Sequence, residues 1–410
     1  MSHPVHAHIN SDLLWSKIME TSKFGGLSEP QGAMNRLALS DEDQQARKYF
    51  IAYAEELGCD IQIDAAGNIF AIWRGQDSQV LRPDLPPIGM GSHLDTQPLG
   101  GRFDGILGVL AALEVIRAVK ESGTVIHRPL AAIDWTNEEG ARFPAMCSGS
   151  GVWAGRKSIS DLYALESLAS RGTTFKSELQ RIGYLGPIPC SHESPMKLSA
   201  HFELHIEQAP RLERSSNTVG VVTGVQGMRW LNITITGREG HAGSTILSER
   251  QDALVAASKL VLYVESEAKR VNGFGTVGFL KPRTESPNQV VGGVHLMIDL
   301  RHPENDILDE QEANFRSILQ DLKRTNRISD FTFARSWVNP TVSFDSDALL
   351  CVRKAAASTA PGSWMDLISW AGHDSAETAH VCPTAMIFVP SKDGLSHTPA
   401  EWTDKEHWYV

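Results

Sequence analysis

Cysteine is scarce in this chain of 410 residues. There are five, at Cys59, Cys147, Cys190, Cys351 and Cys382, an odd number with no CxxC spacing. That excludes a disulfide scaffold and fits a reducing compartment. An excess of positive charge is also missing: 38 Lys and Arg face 49 Asp and Glu, for a formal net charge of −11. Nucleic-acid binders are expected to carry a basic face, so no nucleic-acid partner is expected. Small substrates remain open, because a local basic pocket can lie inside an acidic surface. Long apolar runs are lacking too. The most apolar long segment, Ile106 to Val119, is interrupted by Glu114 and Arg117, so no membrane span is expected. The first residues, MSHPVHAHINSDLLWSKI, show no basic stretch leading into an apolar core, so no secretory signal is expected and a cytoplasmic protein is the default. Internal repeats and low-complexity tracts are absent. What remains is globular in composition, 41% apolar and 21% charged. The length accommodates two or three domains at roughly 150 residues each.

Periodicity predicts a helix over Asp41–Leu57 and two short strands within Ile61–Trp73 around the turn Ala65-Ala66-Gly67-Asn68. A buried strand over Pro86–Met90, a helix over Ile106–Lys120 and a strand over Leu130–Trp135 form a βαβ unit with a parallel sheet. Sites in such sheets lie at the carboxyl ends of strands. Downstream the order becomes β-α-β-β-α-β. Strands are predicted near Leu231–Ile235, Thr276–Leu280, Gly293–Leu300 and Phe331–Ser336, and helices over Gln251–Lys269 and Asp306–Arg324. That is the split βαβ pattern of a small α+β sandwich. The expected class is therefore α/β, with a catalytic domain of residues 1–218 and 337–410 and an inserted α+β domain of residues 219–336. The helix Ser346–Thr359 and the strand Pro383–Val389 return to the first domain.

Five segments could carry chemistry. GSHLDTQPLGGRFDG places His93, Asp95 and Asp104 in a loop too rich in glycine for a helix. His93 can bind a metal ion, Asp95 can orient its imidazole, and the glycines can fold Asp104 back to the same point; a plain Asp/Gly turn is the alternative. Glu138-Glu139 follows the strand Leu130–Trp135, where one glutamate could bind metal and the other act as general base; a solvated helix start is the alternative. In HFELHIEQAP, His201, Glu203, His205 and Glu207 share one face of a strand, which reads equally as a site or as a solvent-facing edge. His397 in GLSHTPAEW and His373-Asp374 in SWAGHDSAE complete the set. Together they describe two metal ions bridged by one carboxylate, with a shared water as nucleophile.

In order and type these segments, with DWTNEEGARFP and GREGHAGS, resemble the di-metal amidohydrolases of the M20 peptidase family. The likeness is to its carbamoylase branch: N-carbamoyl-L-amino acid amidohydrolases, β-ureidopropionases and allantoate amidohydrolases. It implies a zinc-peptidase-like catalytic domain, with a mixed sheet flanked by helices, and a lid that mediates homodimerisation. It further implies Asp104 as bridge, His93 and His205 completing one site, Glu139 and His397 the other, Glu138 as general base and Asp95 as the group orienting His93. Its cofactors would be two divalent ions, zinc or else manganese, cobalt or nickel. His241 would polarise the scissile carbonyl and Arg301 grip the substrate carboxylate, with Gln226, Asn288, Gly372 and His373 as further substrate contacts. The substrate would be a small N-carbamoyl amino acid. Rival readings are allantoate hydrolysis, an aminoacylase or dipeptidase activity, and an impaired dimeric ligand-binding homologue.

Two departures from that family carry expectations. Ala209 stands where the family has glycine, so strain is expected there if the position needs a positive φ. The sequence stops eight residues after Trp402, where the family continues into a helix, so weak support is expected for the His397 loop.

Overall fold

The computed structural model describes residues 4–76, 82, 84–193, 195–284 and 286–408. It divides into two compact units, Met1–Gly224 with Ser343–Val410, and Val225–Val342. The sequence reading draws the insertion at 219–336. The edge moves because Val219–Val225 is a strand of the larger unit's sheet, pairing antiparallel with Thr384–Val389.

The larger unit is built on a mixed sheet. Among the described residues, seven of its nine strands run in the order Asp60–Ile63, Ile69–Trp73, Leu130–Asp134, Ile88–Ser92, Ala200–Ile206, Thr384–Val389 and Val219–Val225. The four strands from Leu130–Asp134 to Thr384–Val389 are mutually parallel. Parallel strands are covered on both faces, so they read as continuous apolar runs. Leu130–Asp134 is buried at every position. The apolar helix Ile106–Glu121 packs on this sheet. Glu114 and Arg117, which interrupt its apolar run, are buried together, with Arg117 Nε donating to Glu114 Oε2 at 2.8 Å. Asp41–Glu56 is helical, capped by Ser40, whose hydroxyl accepts from Asp43 N–H, and it carries three acidic residues in its first turn, where the helix dipole favours them. Among the described residues no helix is long and apolar enough to cross a membrane.

The smaller unit is a four-stranded antiparallel sheet in the order Phe274–Pro282, Gly293–His302, Gly227–Thr236, Asp330–Asn339. Leu231, Ile233 and Ile235 are fully buried against the helices Ala253–Arg270 and Asn305–Arg324, while Asn232, Thr234 and Thr236 are half-buried. This is the period-two pattern expected of a sheet with one covered face.

Candidate metal centre

The parallel strands end at one edge. Ser92 leads into His93, Asp134 into Glu138 and Glu139, Ile206 into Gln208, and Val389 into the loop that carries His397. A buried apolar strand followed by glycine or polar residues produces this edge. The strand hydrogen bonds run out there, and the backbone can turn to present side chains.

His93 and His205 are both buried. His93 Nδ1 lies 2.8 Å from the carbonyl oxygen of Asp95, and His205 Nδ1 lies 2.8 Å from that of Ile206. A carbonyl can only accept, so Nδ1 carries the proton in each ring and Nε2 is left with a lone pair. Both Nε2 atoms turn to Asp104. His205 Nε2 is 3.0 Å from Asp104 Oδ1 and His93 Nε2 is 3.6 Å from it. His205 Nε2 is nevertheless not angled to hydrogen-bond any protein atom. The second oxygen, Asp104 Oδ2, faces the other way, 3.2 Å from His397 Nε2, which is itself 3.5 Å from Glu139 Oε2. One carboxylate thus divides its two oxygens between two donor sets, His93–Asp104–His205 and Asp104–Glu139–His397. Gly105 makes the first set compact. It adopts φ 70°, and a Cβ on it would stand 2.4 Å from the His93 ring.

The peptide between His93 and Asp95 is held on both sides. Leu94 N–H donates to Asp134 Oδ1 at 3.0 Å, and the fully buried Arg36 donates through Nε to Leu94 O at 2.7 Å. Asp134 in turn lies 3.4 Å from Arg47 Nη1. The Asp95 side chain does something the sequence does not reveal. Its carboxylate stays 3.9 Å from His93 Nδ1 and accepts instead from the backbone N–H of Glu138 and Glu139, at 3.2 and 3.3 Å. Asp95 therefore steadies His93 through its carbonyl and the two glutamates through its side chain.

Glu138 Oε2 lies 3.6 Å from His93 Nε2, and Glu138 Oε1 accepts from the Cys147 thiol at 3.3 Å. Burial, reinforced by Asp374, Glu139 and Asp104, pushes the Glu138 carboxyl well above its ordinary value, against the pull of His93. Burial and Asp104 push Glu139 up to about 7. Burial also acts against Asp104, but His205, His397 and His93 overcome it and hold Asp104 well below the carboxylate range. Burial presses His93 towards neutrality, yet Glu138, Asp104 and Asp95 outweigh it. Carboxylates and imidazoles crowded this closely form donor sets of the kind that hold cations. Imidazole and carboxylate donors of this kind suit zinc, manganese, cobalt or nickel.

The face of the strand Ala200–Ile206 is buried, which removes the solvent-facing reading. His201 accepts from Trp135 Nε1 at 3.3 Å, Glu203 Oε1 accepts from Ser92 Oγ at 2.7 Å and Glu203 Oε2 from Ser375 Oγ at 2.6 Å, and Glu207 accepts from the N–H of Arg211 and Leu212. Burial lowers His201 to about 4, so it is a neutral structural histidine. Glu203, His205 and His373 also cluster, but Glu203 is committed to serines and His373 Nε2 lies 2.9 Å from Ser369 Oγ. His373 is buried, packs edge-on to His205 with centroids 4.6 Å apart, and is lowered to about 3 by burial and then by His205. Gly372 precedes it in a half-buried loop lining the same small cavity as Asp104, Glu138, Glu139, His205 and His397.

The other expected substrate residues belong to the smaller unit. His241 is exposed on a short strand paired with Gln289-Val290, and its Nδ1 accepts from Gly243 N–H at 3.1 Å. Asn288 is exposed and accepts at Oδ1 from Ser286 Oγ at 2.8 Å. Arg301 is half-buried and pairs with Asp299 at 2.9 Å. Gln226 is fully buried where the unit begins.

Both expected departures resolve differently. The residue with positive φ is Gln208, at 58°, and Ala209 is not strained. The His397 loop is well tied. Ser396 Oγ lies 2.8 Å from Asp104 Oδ2, Gln208 Nε2 donates to Asp104 Oδ2 at 2.7 Å, and Lys392 N–H donates to Trp402 O at 2.8 Å. Gln97 holds Glu139, donating from Nε2 to Oε2 at 2.9 Å. Gln97, Gln208, Ser396 and Glu401 all lie inside the motifs quoted above. Their presence was legible there, and their roles were not.

The chain is similar to known proteins over nearly its whole length. Peptidase family M20/M25/M40 matches residues 89–410. An N-carbamoyl-L-amino-acid amidohydrolase of Rhizobium meliloti is 38% identical over 402 residues, covering 97% of this chain and 93% of the relative. A ureidoglycolate hydrolase of Arabidopsis thaliana is 33% identical over 405 residues, covering 96% of this chain and 82% of the relative. The crystal structure of an amidase of the hydantoinase/carbamoylase family from Burkholderia multivorans superimposes with a TM-score of 0.89 at 38% identity, covering 98% of this chain and 95% of that one. The chain belongs to peptidase family M20/M25/M40, and it is a hydrolase.

Proposed function

We propose that the protein hydrolyses the carbamoyl group of an N-carbamoyl amino acid, either an N-carbamoyl-L-amino acid or N-carbamoyl-β-alanine. One water is consumed, and the amino acid, carbon dioxide and ammonia are released. The observation that carries this reading is the Asp104 carboxylate, shared between two donor sets beside a buried glutamate that belongs to neither. The similarity to a named N-carbamoyl-L-amino-acid amidohydrolase supports the substrate class.

His93, Asp104 and His205 would hold one divalent ion, and Asp104, Glu139 and His397 the other. When bound, such ions lower the pKa of water and polarise a carbonyl oxygen. Glu138 takes the proton of the attacking water and delivers it to the leaving amine. The Cys147 thiol fixes one Glu138 oxygen and leaves the other, on the His93 side, to carry the proton. Gln97 and Asp95 keep Glu139 and the Glu138-Glu139 backbone in place. In the smaller unit, Arg301 is assigned to the substrate carboxylate, since a planar guanidinium suits it bidentately. His241 is assigned to the carbonyl oxygen, and Gln226 and Asn288 to further polar contacts. A homodimer formed through the smaller unit belongs to the same reading.

A second reading, hydrolysis of a ureidoglycolate-type substrate, is favoured by the Arabidopsis relative. Ammonia release from N-carbamoyl-L-amino acids, N-carbamoyl-β-alanine, allantoate, ureidoglycolate and a dipeptide, with zinc, manganese, cobalt or nickel supplied, tests both. Turnover of a carbamoyl amino acid at the highest kcat/KM is expected. Turnover of the dipeptide alone would refute the carbamoylase reading.

A further inference from the structure

We propose that Glu401 is a positioning residue that joins the His397 loop to Asp104, so that the outer donor set assembles as one unit. The inference rests on the two-ion reading above. Glu401 follows His397 by four residues and is buried. Its Oε1 accepts from the backbone N–H of Phe103 at 2.9 Å and of Asp104 at 3.1 Å. Its Oε2 accepts from Ser396 Oγ at 3.0 Å. One carboxylate therefore grips the peptide that carries the bridging aspartate and the residue that precedes His397.

Three further observations fit this role. The Ser396 hydroxyl has one proton and faces two acceptors, Glu401 Oε2 and Asp104 Oδ2. Ser396 thereby links the Glu401 carboxylate to the Asp104 carboxylate. His397 sits at φ 56°, a left-handed conformation that disfavours a side-chain-bearing residue and persists only when its surroundings hold it. Finally, Gly101 is shaped to the carboxylate, since a Cβ there would stand 2.2 Å from Glu401 Cδ and Oε1. Glu401 itself belongs to neither donor set.

The test is competition between the protein and a chromophoric chelator for zinc or cobalt, with the melting temperature of the metal-free protein as control. The variants are Glu401→Ala, Glu401→Gln and Gly101→Ala. Wild type is expected to take up two ions. Glu401→Ala should weaken the second ion about 10- to 100-fold and leave the first unchanged, the usual effect of losing an outer partner. Gly101→Ala keeps the carboxylate but displaces it, and should weaken the same ion. Glu401→Gln should restore most of the affinity, because its amide oxygen still accepts the two N–H groups and its NH2 donates to Ser396. Two unchanged ions in Glu401→Ala would overturn the proposal. So would equal weakening of both ions together with a collapse of the metal-free melting temperature, which would mark a general role in folding. Fewer than two ions in wild type would instead refute the two-ion reading itself.

Discussion

The two candidate donor sets use the same chemistry and are held in opposite ways. His93 and His205 are 1% exposed in their side chains; His205 is fixed at Nδ1 by the carbonyl oxygen of Ile206, the last residue of its strand, and His93 by that of Asp95 in the turn just past its strand. His397 has a side chain 47% exposed and a left-handed backbone, and it reaches the site from a loop. The inner histidines sit at or just past strand ends, held by backbone carbonyls and by buried partners of the strands themselves. The outer one depends on side-chain hydrogen bonds, from the distant Gln208 and from Ser396 and Glu401 of its own loop. Precision at a strand end follows from the fold, whereas precision on a loop must be assembled.

The sharpest test of this comparison removes neither set. Glu138→Gln should lower kcat by about 10²–10⁴, the range for loss of a general base, while ion uptake stays at two per chain. Loss of an ion in that variant would make Glu138 a ligand and merge the two roles. Next in size, Asp95→Ala should lower metal affinity or activity about 10- to 100-fold. It should disturb the Glu138-Glu139 backbone more than the His93 ring, since the His93 partner is a backbone carbonyl. A His93 tautomer shift seen by NMR in Asp95→Ala would contradict this. Graded chelation should then separate the sets. The outer ion should leave first, and activity should fall with it, because His397 is exposed and loop-borne; simultaneous loss of both ions would erase the contrast.

The smallest effect concerns stability. His201 is buried, neutral and lowered to about 4, against about 6.5 in an unfolded chain. Between those values the unfolded state binds more protons, so this contribution is intact above pH 6.5 and is lost as pH falls towards 4. Linkage sets the loss at about 2 kcal/mol by pH 5. Urea melts at pH 7.5 and pH 5 should show a drop that His201→Gln reduces, and an equal drop in both proteins would remove His201 as its source.

The sequence announces the inner site more clearly than the outer one, for a physical reason. An apolar run, a histidine and a glycine-rich return to Asp104 are contiguous, so local pattern and site coincide. The alternation from His201 to Glu207 correctly marks one strand face. It does not reveal burial, because the partners that make burial tolerable, Ser92, Trp135 and Ser375, lie elsewhere in the chain. The strand Val219–Val225 escapes the reading because its glycines look like turn residues and its pairing partner is Thr384–Val389. The positive φ at Gln208, one residue before the position suspected, is a property of how the loop meets Ser391, whose hydroxyl accepts from Gln208 N–H at 2.9 Å. The Asp95 side chain is misjudged for the same reason: spacing shows which groups come near each other, not which hydrogen bond wins.

The central claim is that one carboxylate serves both ion sites. The number of ions retained per chain after dialysis, measured on wild type and on Asp104→Ala, tests it most directly. The account predicts two ions in wild type and close to none in Asp104→Ala, with the metal-free protein still folded. One tightly held ion persisting in Asp104→Ala would contradict it.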